Sequence, residues 1–180
     1  TMNNMMTLWG EEFAKMYPNV RIQVEGKGSS TAPPALISGT AQFGPMSRAM
    51  RPTEIDQFER KHGYKPTQLR TSYDALAVYV HKDNPLSEIT LPQLADLYAE
   101  GGKTTRWSEL GVTIPGVSDD TIVRVSRQSS SGTYEFFREH ALGNKDFRLG
   151  SRDLNGSKEV VELVGGTLTA AAAVGIRFMG

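Results

Sequence analysis

The sequence predicts an α/β chain, and three observations carry that reading. Apolar runs with strand character at residues 20–24, 69–80, 121–126 and 170–180 alternate with segments whose apolar residues recur at helical spacing. Helix punctuation falls between them, with Thr or Pro in front and Gly behind. The run at 75–80 is continuous rather than alternating, as in a strand buried on both faces of a parallel sheet. A chain of this pattern builds a mostly parallel sheet and holds ligands at loops beyond the strand C-termini.

Residues 2–17 read as a helix, with Met5, Met6, Leu8, Trp9, Phe13 and Met16 on one face and Thr1 as a candidate cap. Pro18-Asn19 ends it. Val20, Ile22 and Val24 alternate with Arg21, Gln23 and Glu25, which predicts a strand with one buried face. The loop Gly26-Lys27-Gly28-Ser29-Ser30-Thr31 then leads into a helix opened by Pro33 and Pro34. Residues 39–48 predict a short strand opening into a polar loop. Residues 52–64 predict an exposed helix capped by Thr53, with Glu54 and Asp56 near its positive end. Residues 69–80 are the buried strand, broken by Asn84-Pro85. Thr90 caps a helix over residues 90–98, and residues 103–116 form a loop around Trp107. Residues 121–126 make a strand. Phe136, Phe137, His140 and Ala141 recur at helical spacing up to Gly143. Residues 157–164 make another helix, closed by Gly165-Gly166, and the small apolar tail reads as a last strand.

The 180 residues suffice for one large domain or two small lobes. The break within residues 75–80 divides the chain into lobes 1–77 and 78–180. Hydrophobic content of 38% and charged content of 22% describe an ordinary globular chain. Twenty basic side chains balance twenty acidic ones, so no bulk field draws the chain to nucleic acid or an anionic membrane, and any anion site must be local. No cysteine is present, which excludes disulfide and thiolate chemistry. No apolar run reaches bilayer-spanning length. The sequence starts at Thr1 with no signal peptide, so an exported protein would be seen here in mature or trimmed form.

The stretch Arg127-Gln128-Ser129-Ser130-Ser131-Gly132-Thr133 joins a strand to a helix. A helix start carries N–H groups without internal partners and a positive macrodipole end. Hydroxyls, a glycine that lets the backbone approach, and the permanent cation of Arg127 complete the requirements of a small oxyanion site. Gly28-Ser29-Ser30-Thr31 repeats the construction, and Thr1 before the first helix offers a third instance. The plainer alternative is two hydroxyl-rich loops with helix caps.

Enzyme patterns are weaker. Gly101-Gly102-Lys103-Thr104 resembles the end of a Walker A loop, but Leu97 stands where that motif needs Gly, so a turn is expected. No Gly-x-Ser-x-Gly elbow and no Ser-x-x-Lys motif occurs. His62, His81 and His140 lack ligand spacing, so no metal site is expected. Asp119-Asp120 reads as a turn, and Trp9 and Trp107 as packing.

Four segments occur in one order: Gly26-Lys27-Gly28-Ser29-Ser30-Thr31-Ala32, Phe43-Gly44-Pro45-Met46-Ser47-Arg48, Asp74-Ala75-Leu76-Ala77-Val78-Tyr79-Val80, and the stretch from Arg127 to Thr133. Over nearly the whole chain this set resembles the phosphate-binding proteins of bacterial ABC transporters, a branch of the two-lobed periplasmic binding proteins. The resemblance implies the type II fold, with two α/β lobes, mostly parallel sheets and a ligand cleft between them. It also implies an extracytoplasmic solute-binding protein that delivers inorganic phosphate to permease subunits. Such a protein needs no cofactor, metal, nucleic acid or membrane insertion. It would be a monomer, periplasmic or extracellular, with lipid anchoring of the precursor left open. By motif, the implied phosphate ligands are Thr1, Met2, Ser29, Ser30, Ser47, Arg127, Ser131, Gly132 and Thr133. The alternatives are a sulfate or other oxyanion binder, an adhesin or scavenger on the same fold, and a serine-dependent phosphoester hydrolase.

The chain departs from the family pattern in three places. Ser47 stands where the family's Phe-Gly-Ala-Ser-Asp pattern has an Asp that accepts a proton carried by phosphate and repels sulfate. A serine both donates and accepts, so weaker rejection of sulfate is expected. Ser129 replaces an Asp often found two residues after the Arg, and Arg48 is read as a solvated charge rather than a second cation at the site. Family members are also longer and return to the first lobe after the final strand. Residues 165–173 lack the usual Pro-Gly-Ala-Ile-Gly start of that strand, which leaves two alternatives open: an incomplete first lobe, or a sequence that is part of a longer protein.

Overall fold

The local rules of helix punctuation hold along most of the chain, as a computed structural model describing residues 3–178 shows. The helices are α1 (Asn3–Met16), α2 (Ala32–Ser38), α3 (Pro52–His62), α4 (Leu91–Tyr98), α5 (Gly132–His140) and α6 (Ser157–Gly165). The strands are β1 (Tyr73–Val80), β2 (Val123–Arg127), β3 (Arg152–Leu154) and β4 (Ala170–Phe178). The chain divides into two compact units, Thr1–Ser72 with Ser130–Gly132, and Tyr73–Ser129 with Thr133–Gly180.

The first unit holds α1, α2 and α3, and no strand among the described residues. The strand predicted at 20–25 does not form: those residues have no ladder partner, and Val20 and Ile22 are each 46% exposed. Alternation specifies an apolar face, but a strand also needs a neighbour to take its hydrogen bonds. Ile22 instead lies beside Gly10 of α1, where an added Cβ would come 3.2 Å from its Cγ2. The short strand expected after Gly39 is also absent. The N–H groups of Gly39, Thr40 and Ala41 all turn back to the Ala35 carbonyl, at 3.1, 3.0 and 3.2 Å, and close α2. Thr53 lies inside α3 rather than capping it. Arg51 is the cap residue, and its N–H donates to the Glu54 carboxylate at 2.8 Å.

The second unit is built on one sheet of order β1-β4-β2-β3. β2 runs parallel to β3 and β4, while β1 pairs antiparallel with β4 along eight positions. β1 is therefore an edge strand with an exposed start, not the doubly buried parallel strand its apolar density predicted. Density reports burial and carries no direction. β3 was not foreseen, being three residues long with two of them charged. Along β4, Ala171 and Ala173 join one core cluster and Ala170 and Ala172 the other, following the two-residue period of a strand. The larger cluster gathers Leu97, Tyr98, Trp107, Ile122 and Phe137. Trp107 is fully buried there, and its indole N–H donates to the Thr169 carbonyl at 3.0 Å. The second cluster packs Val160 and Val164 of α6 on Val125. Thr90 caps α4 as expected, its N–H taken by Gln93 Oε1 at 2.8 Å.

Candidate anion-binding site

Two loops that the sequence marks as alike, more than a hundred residues apart, meet through their backbones. Ser30 N–H donates to the Ser130 carbonyl at 3.1 Å, and Ser130 Oγ donates to the Lys27 carbonyl at 2.8 Å. Gly28 has φ of 101°, and a Cβ there would come 2.5 Å from the Ser130 carbonyl oxygen. Glycine is required at that position for both conformation and approach. Thr31 closes the turn, donating from N–H and Oγ1 to the Gly28 carbonyl at 3.2 and 2.8 Å.

Ser29 is 4% exposed, and its Oγ accepts from the Ser47 N–H at 3.1 Å. The two hydroxyls also pair with each other at 3.1 Å. Gly132, the first residue of α5, lies against this pair. A Cβ there would collide with Ser47 Oγ and come 2.9 Å from Ser29 Oγ. Three separate segments, carrying Ser29 and Ser30, Ser47, and Ser131 with Gly132, thus converge within the first unit at the start of α5. That helix start supplies N–H groups without intrahelical partners and a positive dipole end. Ser131 is 1% exposed.

In the second unit, Arg127 ends β2 and is 1% exposed. Its fork is held by the stretch joining β3 to α6: Nε donates to the Leu154 carbonyl at 3.2 Å, Nη2 to the Asn155 carbonyl at 2.6 Å and Nη1 to Ser157 Oγ at 3.0 Å. A buried guanidinium needs such acceptors, since desolvating a charge without them is costly. Arg127 lines a shallow crevice with Tyr98, Ser126, Thr133, Tyr134 and Phe137. Thr133 is 5% exposed. Burial is the main cause that pushes the Tyr134 phenol above its ordinary pKa. Thr1 and Met2 lie outside the described residues.

Arg48 is not a solvated charge. Its Nη1 and Nη2 donate to both oxygens of Glu54, at 2.9 and 2.8 Å, with the two side chains 14% and 18% exposed. This bidentate bond first, and the Arg51 N–H after it, hold the Glu54 carboxyl below its ordinary pKa. The Walker-like residues form a turn organised by Asp96, which accepts from the N–H groups of Lys103 and Thr104 at 3.1 and 2.9 Å. The imidazoles of His62 and His140 contact backbone carbonyls, and Nδ1 of His81 accepts the Asp83 N–H. Sequence reasoning missed Ser157 and Asn155 as partners of Arg127, because a serine at a helix start reads as part of a cap.

Residues 1–177 match the model of the PBP superfamily domain. The phosphate-binding protein PstS of Pseudomonas aeruginosa is 43% identical over 184 residues, covering 99% of this chain and 57% of that protein. Protein SphX of Synechococcus elongatus is 30% identical, over 92% of this chain and 48% of its own length. The chain therefore spans about half the length of these relatives. Among solved structures, a protein from Clostridium perfringens assigned as a phosphate ABC transporter substrate-binding protein, with phosphate bound, superposes with a TM-score of 0.79 at 31% identity. That match covers 97% of this chain and 67% of the other. A phosphate transport receptor from Vibrio cholerae shares the fold, with a TM-score of 0.68 at 23% identity over 97% of this chain and 67% of its own.

Proposed function

We propose that this chain, which belongs to the PBP superfamily, binds inorganic phosphate outside the cytoplasm and presents it to the permease subunits of an ABC transporter. The observation that carries the reading is the convergence of the Ser29 and Ser47 hydroxyls on Gly132 at the start of α5. Hydroxyls and N–H groups at a positive helix end are the groups that hold a tetrahedral oxyanion. The 43% identity to a protein named for phosphate binding, and the phosphate in the Clostridium perfringens structure, support phosphate as that anion.

In this reading the first lobe, residues 1–77, contributes Thr1, Met2, Ser29, Ser30 and Ser47. The second, residues 78–180, contributes Arg127, Ser131, Gly132 and Thr133, of which Ser131 and Gly132 pack within the first compact unit. The protein acts as a monomer, without catalysis. A lipid anchor on the full-length precursor is compatible with it, and no described helix is long and apolar enough to cross a membrane.

The Ser29–Ser47 pair sets the selectivity. Ser29 Oγ already accepts the Ser47 N–H, and the hydroxyl protons of the pair can be arranged in either direction. One arrangement presents a donor to a fully ionised oxygen, and the other an acceptor to a protonated one. Phosphate is therefore bound with weaker rejection of sulfate than a carboxylate at Ser47 would impose. Calorimetric titration with each anion tests this. Both anions should give heat, with phosphate the tighter; no heat with phosphate refutes the assignment, and complete exclusion of sulfate refutes the role given to Ser47.

A further inference from the structure

We infer that Ser157 is a positioning residue for Arg127: the first residue of α6 aims the guanidinium with which the chain meets its anion. The inference rests on the proposed phosphate-binding reading for its functional consequence, and on unit-internal geometry for its structural one. Arg127 donates to three acceptors within residues 154–157, namely the Leu154 and Asn155 carbonyls and Ser157 Oγ. Of these three, only Ser157 Oγ is a side-chain atom. It can be removed without altering the backbone, so at this contact the side-chain identity bears on the fork's orientation.

The helix itself does not account for this hydroxyl. A serine at a helix start ordinarily serves as the cap. Here the cap residue is Gly156, and its N–H is taken by the Glu159 carboxylate. Ser157 comes one position later, where its Oγ accepts from Arg127 Nη1 at 3.0 Å. A guanidinium recognises an oxyanion through the direction of a rigid planar fork, so a lost orienting bond costs affinity even though the charge remains. Through Arg127, the start of α6 becomes part of anion recognition with no contact of its own to the ligand.

The experiment compares wild type, Ser157→Ala and Ser157→Thr by phosphate titration and by the NMR signal of the Arg127 Nε–H group without ligand. Ser157→Ala should weaken phosphate about fivefold, part of what a hydrogen bond to a charged group is worth, and should shift or broaden the Arg127 signal. Ser157→Thr, which keeps the hydroxyl, should restore both, together with any thermal stability that Ser157→Ala loses with the buried acceptor. An Arg127 signal unchanged in Ser157→Ala overturns the positioning role. So does an affinity loss that Ser157→Thr fails to rescue. If wild type gives no phosphate heat, the proposed function fails, while the ligand-free Arg127 signal still decides the role of Ser157.

Discussion

At the scale of single residues, polar side chains find partners that sequence spacing does not show. Arg48 and Glu54 are six positions apart across a turn and a helix start, and nothing in the linear order marks them as a pair. Their bidentate contact ties the segment carrying Ser47 to the front of α3. The Glu54 carboxyl has its pKa lowered in the fold, so its contribution is fully present above the ordinary glutamate value of 4.5. It is lost as pH falls through the lower folded value. Replacing Glu54 with Gln should cost about 1–2 kcal/mol at neutral pH, the worth of a partly buried charge-assisted contact. Acid unfolding below pH 4.5 should show a shallower loss of stability in Glu54→Gln than in wild type, because the variant has no proton to take up there. Equal pH dependence in the two proteins would contradict the pairing. Other residue-scale features were legible. Gly28-Ser29-Ser30-Thr31 and the run from Ser130 to Thr133 announce close backbone approach and hydroxyl chemistry through composition alone, and the two loops do meet. Ser157 was hidden because the same residue type serves caps and ligands equally well.

At the scale of elements, punctuation was more readable than pairing. The Thr90 cap of α4 and the Gly165-Gly166 close of α6 obey rules that act within four residues. Strands are different, because half of a strand's definition belongs to another segment. The alternating residues 20–25 lack a ladder, and the polar β3 gains one only because β2 lies beside it. Hydrogen exchange separates the two situations. Amides of residues 20–25 should exchange within the dead time of a manual experiment. Those of Ala171, Ala172 and Ala173, buried in β4 between β1 and β2, should be slowed by about a thousandfold or more. Slow exchange at 20–25 would show that these residues have a partner strand.

At the scale of the whole molecule, a formally neutral chain leaves the anion recognition proposed for it to local groups. The balance of charges leaves no broad positive field, so selectivity falls to short-range donors. The ordered set of segments made the family legible before any coordinates, since four motifs in one order are far rarer than any one of them. The antiparallel edge β1 and the lack of strands among the described residues of the first unit were not legible, because direction and pairing follow from contacts made across long sequence separations. The central claim is that the Ser29–Ser47 hydroxyl pair, held against Gly132 at the start of α5, is where the anion binds. Thermal unfolding of wild type and Gly132→Ala, each with and without phosphate, tests it most directly. At about 100 times its dissociation constant, phosphate should add roughly 2.7 kcal/mol to wild type, a rise of about 5–10 °C for a chain of this size. Gly132→Ala, whose methyl group occupies the place of Ser47 Oγ, should show no rise, whereas a phosphate-induced rise in that variant equal to wild type would contradict the account.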